Sequence, residues 1–208
     1  MKTRIDPDKP MIALTFDDGP SSIYTPAILD ILKKHNSSAT FFVLGTEAEQ
    51  HPEILQRMVS EGNEIGNHSY SHLNLTLLSD AELTYQIETP QVIVEKIIGQ
   101  TPSILRPTYG TINDELIQKI PLPIILWSID TVDWQSRNAD FIYNTIVQNV
   151  KDGDIVLMHD IYESTLEAVR RVVPALIDKG YQLVTISEMA DARGITLQPG
   201  NVYRNMYP

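Results

Sequence analysis

The 208-residue chain has no cysteine, so disulfides and Cys-ligated metal sites are excluded. It has no apolar run near the ~18 residues that a membrane-spanning helix needs, and no signal peptide. Basic residues are in short supply, 16 Lys and Arg against 27 Asp and Glu, giving a net charge of −11. Such a balance argues against a phosphate-backbone partner and an anionic membrane, so neither nucleic acid nor a membrane surface is expected to bind. Repeats, low-complexity segments and linkers are also missing, which points to one domain over residues 1–208. The opening Met1-Lys2-Thr3-Arg4 is short and polar, and the apolar pattern starts just behind it. It reads as a domain cut from a longer chain, with Met1 added and any targeting segment lost.

What is present is an alternation of strand and helix patterns. Met11 to Phe16 is apolar on both faces, as a buried parallel strand is, and ends at Asp17-Asp18-Gly19-Pro20. Helices are expected at Tyr24 to His35, Glu47 to Glu61, Ser79 to Ile98 with a kink at Pro90, Asn113 to Ile120, Asp140 to Val150 and Ser164 to Lys179. Strands are expected at Ala39 to Leu44, Asn63 to Gly66, Pro123 to Ile129, Asp154 to Met158 and Tyr181 to Thr185, with residues 194–208 a tail along the surface. Strand and helix alternate about seven times, which favours a parallel α/β fold and, at this length, a closed or nearly closed barrel.

The unusual polar residues fall behind the strands. Asp17 and Asp18 follow the first, His68 and His72 the third, Arg106 the short Ile104 approach, Asp133 and Trp134 the Ile124 strand, and His159 the Ile155 strand. In a parallel barrel all of them gather at the carboxyl end, where active sites lie. Adjacent carboxylates repel unless a cation, an arginine or a shared proton offsets the charge. His68 and His72, four residues apart, are one helical turn from each other and can face one cation. Two His and one carboxylate leave a position open for water, with Asp17 or Asp18 as the carboxylate and the other free for proton transfer. Asp133 can hold the His159 imidazole in one tautomer. His35 and His51 read as surface residues, and Asp130 as the polar end of its strand.

Five segments in order, Thr15-Phe16-Asp17-Asp18-Gly19-Pro20, His68-Ser69-Tyr70-Ser71-His72, Arg106-Pro107-Thr108-Tyr109-Gly110, Asp130-Thr131-Val132-Asp133-Trp134 and Leu157-Met158-His159-Asp160, resemble the motifs of the polysaccharide deacetylases, the NodB-homology domain of carbohydrate esterase family 4. The resemblance implies a distorted (β/α) barrel with seven or eight strands. It also implies a divalent metal, Zn2+ first and Co2+ or Ni2+ as options, on Asp18, His68 and His72. In that scheme Asp17 is the general base held by Arg106, and His159 the general acid tuned by Asp133. Tyr109 offers its backbone N–H to the oxyanion, and Trp134 and Leu157 line the acetyl pocket. The third motif usually has proline where this chain has Thr108, so a freer loop is expected there.

The expected substrate is an acetylated polysaccharide, with N-deacetylation of N-acetylglucosamine in peptidoglycan or chitin-type chains ahead of O-deacetylation of acetylxylan. A glycoside hydrolase pairing Asp17 with Asp133 leaves the three histidines idle. A sugar-binding module without catalysis leaves every candidate group idle. A monomer acting outside the cell or at its surface is expected from the substrate.

Overall fold

A computed structural model describes residues 5–208, so Met1 to Arg4 lie outside it. At its centre is β1 (Met11–Asp17), all seven residues buried. It pairs in parallel with β2 (Thr40–Val43) and β6 (Ile155–His159), and its first residues pair with β7 (Gln182–Leu183). On one side the sheet continues to β3 (Glu64–Asn67), on the other to β5 (Ile129–Asp130). Single parallel bridges, Asn67 to Leu105 and Leu105 to Ile124, carry the path on to β4 (Ile124–Ile125), which pairs with β8 (Val202–Tyr203). All strand pairs are parallel, and the eight strands form a distorted α/β barrel.

The alternation along β1 explains its position. Ile12, Leu14 and Phe16 point to the outer layer, where they join Ile28 and Leu32 of α1 (Tyr24–Lys34) and Val169 and Val173 of α8 (Glu163–Asp178). Met11 and Ala13 face the barrel interior with Phe42, Ile104, Ile125 and Ile155. Thr15 and Asp17 continue that inward row, so the strand delivers a buried carboxylate to the carboxyl end of the barrel.

Several boundaries differ from the sequence expectation. The helix expected over Glu47 to Glu61 is two, α2 (Gly45–Gln50) and α3 (Pro52–Ser60), because Pro52 starts a new first turn after His51 leaves helical geometry. The long α4 (Asp80–Ile98) opens with the Ser79/Glu82 capping box, retains Pro90 inside it, and closes on left-handed Gly99. The strand expected over Pro123 to Ile129 is interrupted, with Leu126, Trp127 and Ser128 between β4 and β5. Residues 194–208 are not merely a surface tail: β8 joins the sheet and Met206 is fully buried in the inner core. Two helices follow the pattern, α5 (Asp114–Lys119) and α7 (Ala139–Asn149), whereas the single turn α6 (Asp133–Ser136) was not expected. The last, α9 (Ile186–Ala192), escaped the sequence reading: Thr185 ends no strand but caps this helix in a second capping box with Glu188.

Candidate active site

Asp17 ends β1 in register with His159 at the end of β6, which sets the two groups side by side across the barrel mouth. Arg106 lies completely buried beneath them. Its Nη1 donates to Asp17 Oδ1 and to Thr15 Oγ1, both at 2.7 Å, while Nε and Nη2 donate to the Ile125 and Leu126 carbonyls at 3.2 and 3.1 Å. Burial draws the Arg106 pKa down, with Asp17 opposing. Its guanidinium also sits 4.1 Å from the Phe42 ring centroid. A buried fork fixed at four points leaves Asp17 one well-defined orientation, with Oδ1 engaged and Oδ2 3.7 Å from His68 Nε2.

Asp18 follows with φ 72°, a left-handed residue that turns its side chain away from that of Asp17. Its Oδ1 lies 3.3 Å from His68 Nε2 and 3.2 Å from His72 Nε2, and the three donor atoms fall within 4.8 Å of one another. The histidines converge through a turn and not through a helix, contrary to the spacing argument: Ser69 and His72 have φ of 72° and 61°. Asn67 Oδ1 accepts the Ser69 N–H, and Gln86 Oε1 accepts the Tyr70 and Ser71 N–H groups, which pins this turn. His68 Nδ1 lies 2.8 Å from the Arg106 carbonyl, an interaction that requires the proton on Nδ1 and leaves the Nε2 lone pair facing Asp18.

That cluster fits a divalent cation. Asp18 Oδ1 is buried and has no hydrogen-bond partner although two imidazoles surround it, a costly arrangement until a positive charge fills the space between them. Burial opposes ionisation of Asp18, but its contacts with His68 and His72 outweigh it and hold the carboxyl well below the usual range. His68 is opposed by its own burial and raised by the charges of Asp17 and Asp18.

Across the mouth, fully buried Asp133 accepts four hydrogen bonds. His159 Nδ1 and the Trp134 N–H bind Oδ1 at 2.7 and 2.9 Å, and the His159 N–H and Thr165 Oγ1 bind Oδ2 at 2.8 and 2.7 Å. Burial of His159 works against its charge, but the hydrogen bond and charge of Asp133, then the charges of Asp17 and Asp18, raise its pKa to about 9. At neutral pH it carries a proton.

These groups open into a cavity of about 420 Å³ lined also by Tyr109, Gly110, Trp127, Asp130, Trp134, Leu157 and Tyr162. Every residue singled out from the sequence is therefore at this mouth, with Arg106 and Asp133 behind the wall. The loop at Thr108 is not free: Thr108 is buried and its Oγ1 donates to the Leu73 carbonyl at 2.6 Å, tying the Tyr109 loop to the histidine turn. Tyr109 itself has φ 61°, with its ring 4.5 Å from that of His72.

Sequence reasoning overlooked several supports. Asp130 Oδ1 accepts the Val132 N–H at 2.8 Å and so stabilises a β-branched residue at φ 51° immediately before Asp133. Trp127 lies against Gly110, where an added Cβ would meet its ring at 2.4 Å. Asp160 is buried beside Gly19 and accepts a hydrogen bond from Thr25 Oγ1 at 2.5 Å. Burial, aided by Asp18, raises the Asp160 pKa to about 7 against the Thr25 contact. Of these, Asp130 and Asp160 lie within segments singled out in the sequence, whereas Trp127 carried no signal there.

A model of the family described as polysaccharide deacetylase matches residues 4–121. The peptidoglycan-N-acetylmuramic acid deacetylase PdaC of Bacillus subtilis is 47% identical over 91% of the chain and 40% of its own length. The peptidoglycan-N-acetylglucosamine deacetylase PgdA of Listeria monocytogenes is 45% identical over 92% of the chain and 41% of its own length. The chain thus spans about two fifths of these curated relatives. Among solved structures, a family 4 acetyl xylan esterase from Clostridium thermocellum, in complex with a cobalt ion, superposes with a TM-score of 0.90 at 32% identity, covering 95% of this chain and all (100%) of that one.

Proposed function

Because the chain belongs to the polysaccharide deacetylase family, we propose that residues 1–208 form one catalytic domain that hydrolyses acetyl groups from a cell-wall polysaccharide outside the cell, N-acetylglucosamine or N-acetylmuramic acid residues of peptidoglycan first. The observation that carries this reading is the division of labour between two adjacent carboxylates: Asp17 is held by Arg106, and Asp18 is turned toward His68 and His72.

Asp18, His68 and His72 are the residues to hold a divalent cation, zinc by preference, since tetrahedral N and O donors suit it. Bound there, such an ion supplies the Lewis acidity that makes water nucleophilic near neutral pH and draws charge from the acetyl carbonyl. Asp17, with Oδ1 anchored, uses Oδ2 to take the proton of the attacking water as its oxygen bonds to the carbonyl carbon. The tight turn at Tyr109 offers its backbone N–H to the oxygen that gains negative charge, while the Gly110 N–H is spent on the Pro107 carbonyl at 3.0 Å; one such donor contributes roughly 3–4 kcal/mol in comparable sites. Protonated His159, its Nδ1 fixed by Asp133, gives its Nε2 proton to the nitrogen as the C–N bond breaks, leaving acetate and a free amine. Trp134 and Leu157 give the acetyl methyl an apolar wall.

O-deacetylation is the second reading, favoured by the likeness to the acetyl xylan esterase. Acetate release from N-acetylglucosamine oligomers, peptidoglycan strands and acetylated xylan, each assayed with zinc, cobalt and nickel, separates the two. Greater turnover on xylan would reverse the order, and release of reducing ends without acetate would overturn the deacetylase reading.

A further inference from the structure

Arg137 is outside the catalytic set but next to it. It closes α6 with φ 46°, returns its N–H to the Asp133 carbonyl at 3.1 Å, and donates from Nε to the Trp134 carbonyl at 2.8 Å. Its guanidinium carbon lies 3.2 Å above the Tyr162 ring, a close stack that removes much of the freedom of a long side chain. Tyr162 lines the acetyl cavity and lies 5.9 Å, ring to ring, from His159.

Beyond Tyr162 a second hollow of about 530 Å³ opens, bordered by Tyr24, Arg137, Ile161, Tyr162, Glu163 and Glu167. Both hollows fall in the ~300–1,000 Å³ range of ligand sites, and Tyr162 is the wall they share. Among the described residues Arg57, Arg106, Arg170, Arg171 and Arg193 each pair with a carboxylate; Arg137 and Arg204 do not, and of those two Arg137 is the one that borders this hollow. In a chain of net charge −11, a guanidinium that is exposed, oriented and unneutralised beside a reaction centre is a docking point for an anion. Glu163 and Glu167 border the same hollow, with Glu167 3.3 Å from Arg170. They repel a small free anion, so the carboxylate has to arrive attached to something seated in the groove.

We propose that Arg137 reads a carboxylate in a second sugar subsite, and that the preferred substrate is an acetylated glycan bearing an acidic substituent on the sugar under attack or its neighbour. This rests on the deacetylase reading of the same site, and it adds a chemical class that the motifs leave open. A guanidinium–carboxylate contact of this kind is worth about tenfold or more in affinity.

The test compares kcat/KM for a peptide-free peptidoglycan strand, whose N-acetylmuramic acid carries a lactyl carboxylate, with kcat/KM for a neutral N-acetylglucosamine oligomer. The acidic-to-neutral ratio is expected to fall about tenfold in Arg137→Gln, mainly through KM, and by less in Arg137→Lys, which retains the charge. Methyl esterification of the strand's carboxyls is expected to lower turnover by wild-type protein to the same degree, an arm that needs no variant. Proportional losses on both substrates in Arg137→Gln would reduce Arg137 to a brace for the Trp134 turn, and equal turnover of acid and ester strands by wild-type protein would assign the hollow to a neutral sugar. Either overturns the inference while leaving deacetylation intact, whereas no acetate from any glycan overturns both.

Discussion

At the scale of single residues, the site is built from charges whose partners divide them into roles. His159 is the clearest case. With a pKa of about 9 it is protonated at neutral pH and loses the acid form as pH rises through that value. The alkaline limb of kcat should therefore lie above the ordinary histidine range, and below 9 once a bound cation offsets the Asp17 and Asp18 charges. Replacing Asp133 with Asn removes the strongest raising influence while burial remains, so the limb should move to lower pH and activity at pH 8 should drop roughly a hundredfold. A pH–rate profile whose limb stays in place in that variant would exclude His159 as the acid. Thr108 makes a second prediction. Thr108→Val loses the bond to the Leu73 carbonyl, worth about 1 kcal/mol. It should lower kcat severalfold with KM little changed if the Tyr109 loop acts on the transition state. Thr108→Pro should retain more activity than Thr108→Val, because Pro107 at φ −65° and ψ 140° has the extended geometry that a following proline requires. Equal kinetics in the two variants would show that the loop needs no restraint.

At the scale of elements, the turn from β1 into α1 and the end of β6 are locked together. The Ser21 N–H donates to Thr25 Oγ1 at 2.7 Å, and Thr25 passes the bond to Asp160. Asp160 has a folded pKa of about 7 against an ordinary value of 3.8. As pH rises from about 4 to about 7 the unfolded chain surrenders this proton while the folded chain keeps it, so stability declines across that window. Asp160→Asn never ionises and still offers Thr25 an acceptor oxygen. Its Tm relative to wild type should rise by a few degrees between pH 5 and pH 8, given that about 1 kcal/mol moves Tm by roughly 2–4 °C at this size. A difference independent of pH would contradict the neutral state of Asp160.

The same locks show what the sequence could and could not convey. The apolar run of β1 and its Asp-Asp ending were legible because burial on both faces and a polar stop are local properties. His68 and His72 were legible as a pair, but their convergence depends on left-handed backbone at Ser69 and His72 and on Gln86 from α4, which spacing does not encode. Thr165 was silent, and Asp130 and Thr108, though inside recognised segments, gave no hint of their partners, for a similar reason: each acts through one hydrogen bond to a partner chosen by tertiary packing. The short β8 was obscured because a two-residue strand has no period to read, whereas β7 lay inside the longer strand expected at Tyr181 to Thr185.

At the scale of the whole molecule, the acidic balance concentrates a cost at the barrel mouth. Asp17, Asp18, Asp133 and Asp160 lie near one another there, with Arg106 the fixed cation among them. Removing a divalent ion should leave Asp18 uncompensated and lower Tm, and zinc returned at 100 times its Kd should add back about 2.7 kcal/mol. Calorimetry with chelator, then with zinc titrated in, measures this; a Tm indifferent to both would rule out Asp18, His68 and His72 as a metal site.

The central strand also sets an order of events. Thr15 bonds to the Val156 carbonyl 141 residues away, and Asp17 comes to lie beside His159 through the same pairing. Contacts so distant along the chain make for slow folding and long exposure of unpaired strand edges. A ribosome that has finished residue 150 has already made Asp17, Arg106 and the histidines of the Asp18 cluster, yet β1 still lacks the neighbour that brings His159. The two halves of the barrel mouth thus meet only after β6 has been made.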